Sequence, residues 1–204
     1  MRKYLAFVLL GILTLVGGGF AVAGAVQSTS DTSLGSAVDN TLKASNFTEN
    51  LMEKTAQGSQ QAQLVFQSPD RLGGWLISGK RKTYLYIIGN AEYIAITRSV
   101  SAPAPTTFYR QQSQGAVAVD PAHTYLPYYN KGPSTRNGSV TTVTLSQGGQ
   151  TETLTYTVTG NYVSDFKAVV TGGSIDLTIS KVGSSPPVEL PKGYKITTTV
   201  PTQG

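Results

Sequence analysis

The chain contains no cysteine among its 204 residues. That excludes disulfides, thiolate metal sites, a cysteine nucleophile and a lipid-modified N-terminal cysteine. Histidine occurs once, as His123, and charged residues make up only 13% of the chain, with 11 acids. No Gly-x-Ser-x-Gly elbow occurs, so the Asp120/His123 pair has no recognisable serine to activate and reads as a structural feature of a loop. His123, Asp120 and the distant carboxylates have no metal-ligand spacing. No two acids present themselves as the facing pair that glycoside hydrolysis needs. Basic residues are scattered apart from Lys80-Arg81-Lys82, which immediately precedes a strand and reads as a solvated edge gatekeeper. A basic stripe interleaved with exposed aromatics is missing, so nucleic acid is not an expected partner. These absences leave no catalytic residue, metal or cofactor to assign, and the chain reads as a non-enzyme.

What the chain has in abundance is glycine, serine, threonine and tyrosine, the composition usual for exported β-proteins, at a length that supports one substantial core. Residues 1–25 carry a positive start (Arg2, Lys3), an apolar run (Tyr4–Val16), a triple glycine and an Ala23-Gly24-Ala25 tip. This pattern suits a cleaved signal peptide. An uncleaved single-span anchor is the competing reading, because Tyr4–Val26 is long enough to cross a bilayer. Either way, everything after Val26 is expected outside the cytoplasm, secreted or attached to the cell envelope. Residues 26–33 suit a linker, 34–191 a single domain and 192–204 a tail.

Within that domain, Leu34, Val38 and Leu42 form the apolar stripe of a short helix over about 34–44, with Asp31 or Ser33 as its N-cap. Phe47–Met52, Gln63–Phe66 and Trp75–Ile77 read as strands, the second broken at Ser68-Pro69-Asp70. Gly89-Asn90 then forms a type II′ hairpin turn that sets Tyr86 opposite Tyr93, Tyr84 opposite Ala95 and Ile88 opposite Ala91. Leu85, Ile87, Ile94 and Ile96 fall on the other face. A hairpin apolar on both faces must be covered on both, and the tyrosine face is the one assigned to the interior.

The segment 99–139 holds five prolines and five aromatics, which predicts an irregular packed cover or lid. From Val140 a meander alternates apolar residues with threonines. A three-residue loop, Thr159–Asn161, is preferred over the two-residue Gly160-Asn161 loop because it keeps Asp165 and Lys167 off the apolar face. Val188 and Leu190, between prolines, read as a final edge strand. The assembly these parts imply is mainly β (α+β): a single curved antiparallel sheet or incomplete β-barrel, with a threonine-rich convex face, an N-terminal helix and a covering lid.

The order of these parts resembles a known family. A helix precedes Phe47-Thr48, a strand ends in Ser-Pro-Asp-Arg (68–71), Ile-Ile-Gly-x-x-x-Tyr-Ile forms a hairpin (87–94), and Val-Gly-x-x-Pro-Pro-Val-Glu-Leu-Pro closes the domain (182–191). The set resembles the actinobacterial LppX/LprG-like envelope lipoproteins and, more loosely, the Lol-type lipoprotein carriers. The resemblance implies an incomplete barrel around an apolar cavity that holds acyl chains in transit, with no catalytic residues. The lipobox cysteine of that family is absent, which excludes a lipid anchor.

Tyrosines point the same way. Seven of the 11 lie between Tyr84 and Tyr129, and a tyrosine combines an apolar body with a polar tip suited to chain and head group alike. Tyr84, Tyr86 and Tyr93 are expected to line the cavity with Phe66, Trp75, Tyr156 and Phe166, and Tyr125, Tyr128 and Tyr129 to stand at its mouth. The expected function is an exported binding protein that shelters an envelope lipid or other hydrophobic ligand. A membrane and an envelope protein are further candidate partners. The alternative is a membrane-tethered sensor or scaffold that binds a protein partner, its interior filled by its own side chains.

Overall fold

The computed structural model describes residues 32–147 and 150–197. The leader, most of the linker and the last residues of the tail lie outside them.

One open, curved sheet of twelve strands dominates the chain, in the order β12-β6-β5-β4-β3-β2-β1-β11-β10-β9-β8-β7. Its strands are β1 (Asn46–Thr55), β2 (Gly58–Gln67), β3 (Arg71–Ser78), β4 (Arg81–Ile88), β5 (Ala91–Thr97), β6 (Thr107–Gln112), β7 (Ser134–Asn137), β8 (Val140–Gln147), β9 (Gln150–Thr159), β10 (Tyr162–Val170), β11 (Gly173–Ser180) and β12 (Lys195–Thr197). Every pairing is antiparallel except β12 against β6. Helix α1 (Thr32–Leu42) buries Leu34, Ala37 and Val38, the face its stripe predicted. The fold is thus the incomplete, mainly β barrel expected from the sequence.

The β4–β5 hairpin has the predicted register, Tyr86 opposite Tyr93, Tyr84 opposite Ala95 and Ile88 opposite Ala91. Gly89 supplies the positive φ of 58° that the first central position of a II′ turn requires. Its faces are reversed from expectation. Leu85, Ile87 and Ile94 join the large inner core, with Ile96 packed against it. Tyr84 and Ala95 instead meet Phe108 in a second cluster on the outer face, flanked by Trp75, Tyr86 and Tyr93. Alternation fixes which residues share a face but not which face is inside.

What covers the outer cluster is the chain after β11. Val188 is buried yet forms no strand, correcting the expected edge strand. Its N–H donates to Gln67 Oε1 (3.0 Å) and its carbonyl accepts from Arg71 (3.2 Å). A Cβ on Gly73 would stand 2.8 Å from the Val188 side chain, so this glycine is what admits the strap. Tyr194 then meets Tyr93 edge-on at 6.2 Å, and β12 follows as the edge strand. Lys82, expected to be solvated, lies over the Trp75 and Tyr84 rings, at 4.6 and 5.1 Å.

Segment 99–139 is more regular than its prolines suggested. It supplies β6 near one edge of the sheet and β7 at the other. Between them it crosses the inner face through helix α2 (Pro121–Tyr125) and a 3-10 turn (Leu126–Asn130), burying Ala116, Ala122, Tyr125 and Leu126 in the main core. The prolines sit between or at the starts of these short elements, where their missing N–H costs nothing.

The β9–β10 turn follows neither proposed register. Tyr162 pairs Thr159 across a two-residue loop, and a bulge between Val163 and Asp165 then shifts the ladder so that Phe166 faces Tyr156 and Ala168 faces Leu154. The extra residue lets Val163 and Phe166 both point inward while Asp165 and Lys167 stay on the threonine face. Charge is kept off the core as the sequence required, by a bulge rather than by the loop. Thr41 of α1 completes the device: its hydroxyl donates to Ala37 O (2.8 Å) and accepts the Val163 N–H (2.9 Å).

Candidate functional site

Six of the ten aromatics expected to line a cavity come together on the inner face. Phe66, Tyr125, Tyr156 and Phe166 are fully buried in the main core, and Tyr128 and Tyr129 pack against it. Tyr125 stacks parallel to Phe166 at 5.9 Å, and Tyr156 meets Phe166 edge-on at 5.1 Å. Tyr129 lies over Gly35 of α1, where an added Cβ would stand 3.3 Å from its ring. The other four, Trp75, Tyr84, Tyr86 and Tyr93, form the outer cluster and are not brought to this face.

The sequence reading missed the acids. Alternation along β1 puts Glu49 and Glu53 on the same face as Phe47 and Leu51, and all four are buried. Glu92 lies on the inner face of β5 beside Ile94, opposite Ile87. The signal was available, because a strand reading over Phe47–Met52 already sets Glu49 between two inward apolar residues.

Glu49 joins the barrel wall to its cover. Its Oε1 accepts the Ala122 N–H at 2.8 Å. Burial, then the charge and the side-chain hydrogen bond of Asp120, push its carboxyl well above the ordinary range, against the Ala122 N–H, which lowers it. Glu49 Oε2 and Asp120 Oδ1 are both buried without a hydrogen-bond partner among the described residues, and the raised carboxyl of Glu49 favours its protonated form beside Asp120. The other Asp120 oxygen caps α2 by accepting the His123 N–H (3.0 Å) and contacts His123 Nδ1 (2.7 Å). The imidazole rests on Phe66, with centroids 4.8 Å apart. The Asp120/His123 pair is real, and its work is to cap a helix and orient a ring against the core.

Glu53 is different. It is 1% exposed, yet both of its carboxyl oxygens lack a hydrogen-bond partner. Burial raises its pKa to about 7. Gln60 of β2 and Ile175 of β11 stand directly across from it in the ladder. Tyr125 is close enough for the charge of Glu53 to raise its phenol, after burial itself. Glu92 Oε2 accepts from Gln111 (2.7 Å) and Oε1 is unpartnered; burial raises this carboxyl too, partly offset by Gln111. The Tyr156 hydroxyl is likewise buried without a partner.

Such an arrangement sets buried hydrogen-bond acceptors on an otherwise apolar face. Among the described residues, no cluster of three or more His, Asp or Glu side chains is arranged to hold a metal ion. No protein-family model matches the chain, and no curated protein matches it. Among solved structures, the chain is similar to the Mycobacterium tuberculosis lipoprotein LppX, at 12% identity and a TM-score of 0.49, over 78% of this chain and 97% of that one. It is also similar to LprF from Mycobacterium bovis, at 12% identity and a TM-score of 0.46, over 81% of this chain and 97% of that one. These are the kind of protein that the sequence motifs resemble.

Proposed function

We infer that the chain is an exported, non-enzymatic binding protein that shelters a hydrophobic ligand, an envelope lipid or acyl chain, between the inner face of its half-barrel and the α1–α2 cover. One observation carries the reading. Buried polar atoms on an otherwise apolar inner face, both oxygens of Glu53 above all, have no partner among the described residues. Burying a polar group without a partner costs about 1–3 kcal/mol, so a fold that keeps several has a use for them. Ligand pockets combine an apolar lining with a few polar groups that orient the guest. The affinity would come from burial, about 0.8 kcal/mol per sheltered methylene. The part of the cover formed by α2 and the 3-10 turn suits loading, since each of these elements has only five residues.

A tethered scaffold that docks a protein partner is the second reading. It draws on edge strand β12, whose flank leaves Tyr194 and Ile196 exposed. Native mass spectrometry of the protein purified from its own host separates the two. Bound lipid that is lost in a folded Phe66→Asp variant supports the first reading, and a protein that never carries lipid excludes it.

A further inference from the structure

Charge in this molecule is sorted by side. The chain carries a formal net charge of +5, yet the four buried ionisable residues among those described, apart from tyrosines, are Glu49, Glu53, Glu92 and Asp120. All are acids, and no lysine or arginine among the described residues is buried with them. Three have a hydrogen-bond partner: Glu49 accepts from Ala122, Asp120 caps α2, and Glu92 has Gln111. Glu53 alone has neither oxygen engaged, although it is sealed from solvent and points inward with Leu51.

We propose that the interior takes the cationic head of an amphiphile, a primary ammonium borne on an apolar chain, with the Glu53 carboxylate as its counter-charge. The proposal rests on the reading of the inner face as a ligand shelter and adds the class of head group to it. An ionised carboxylate alone in an apolar interior is heavily penalised, and a neutral one leaves its O–H unanswered. An ammonium answers both oxygens at once, with three donors and the opposite charge. Gln60 stands directly across the ladder from Glu53, placed to take a remaining donor. An anionic head would face the Glu53 carboxylate with like charge.

The test titrates the purified full chain at pH 7.5 with dodecylamine, dodecanol and dodecanoate by calorimetry, the two ionic amphiphiles below their micelle concentrations and dodecanol below its solubility limit. Dodecylamine is expected to bind at least tenfold more tightly than dodecanol, and dodecanoate more weakly than either. Glu53→Gln should erase the advantage of the amine while dodecanol binding persists. Glu189→Gln, which removes an exposed acid, should leave the order unchanged. Equal affinity for amine and alcohol overturns the proposal without any variant, as does a preference that survives Glu53→Gln. If the alcohol binds and the amine has no advantage, only the head-group assignment fails. If none of the three binds, the shelter reading fails with it.

Discussion

Glu53→Gln should change how stability depends on pH, by an amount the structure allows to be estimated. Burial raises the Glu53 carboxyl from the ordinary 4.5 to about 7 in the folded chain. Below pH 4.5 both folded and unfolded states hold the proton, so the group has no effect on the pH slope. Between 4.5 and 7 the unfolded chain releases its proton and the folded chain keeps it, so stability falls as pH rises. Above 7 both states are ionised and the loss is complete. At 1.36 kcal/mol per pH unit the loss amounts to at most about 3 kcal/mol, solvent screening of the carboxyl reducing it. Glu49 and Glu92 tilt the curve in the same direction, so the wild-type slope alone cannot isolate Glu53. The difference between wild type and variant can. Gln is isosteric and does not titrate, and the cost of burying its amide is the same at every pH. Urea midpoints taken from pH 4 to pH 8.5 should therefore favour the variant progressively, by up to about 1.5 M across the window at a slope near 2 kcal/mol per M. Two parallel curves would refute the reasoning, because they would mean that Glu53 titrates alike in both states and is not sealed off.

Three further substitutions probe the frame around the inner face. Thr41→Val keeps the shape of the side chain but strips the Val163 N–H, next to the bulge, of its acceptor, and chemical denaturation should show a loss of about 1–3 kcal/mol. Gly74→Ala would place a Cβ 2.0 Å from the Gln63 carbonyl oxygen, so the β2–β3 pairing must shift; a loss above about 2 kcal/mol is expected in thermal melts. Phe166→Ala removes the ring shared by Tyr125 and Tyr156 and should cost about 3–5 kcal/mol. Equilibrium unfolding of that variant, with near-ultraviolet circular dichroism to follow the tyrosines, checks it.

Local signals in the sequence were legible to the residue. The II′ turn at Gly89 fixed the β4–β5 register because a two-residue loop leaves the ladder no freedom. The stripe of Leu34 and Val38 gave the buried side of α1 for the same reason, a period tied to one geometry. What the sequence left open depends on contacts far along the chain. The tyrosine face of the hairpin looked like a cavity lining, and it is instead roofed by Val188 and Tyr194 from the far end of the domain. Those residues lie between prolines or beside Gly193, and local propensity placed them in a strand or a tail. Only the bare Cα of Gly73, beneath Val188, records that approach in the sheet itself, and a lone Gly-Gly inside a strand is consistent with many packings.

The β9–β10 turn and strand β1 apply one rule with opposite results. Around Gly160 the rule that charge avoids the apolar face correctly predicts which residues point inward, and the chain inserts a bulged residue to obey it. The bulge has its own supporting bond from Thr41. Along β1 the same rule would turn Glu49 and Glu53 outward, and a bulge before Glu49 could have done so. The strand instead runs in unbroken register from Thr48↔Val65 to Thr55↔Gly58, carrying both acids inside. Glu49 recovers the cost by holding α2 to the wall. Glu53 recovers nothing from the described residues. A sequence that corrects a misplaced charge on one strand and leaves another standing is not careless of charge, and departures of this kind concentrate where a protein meets something other than itself.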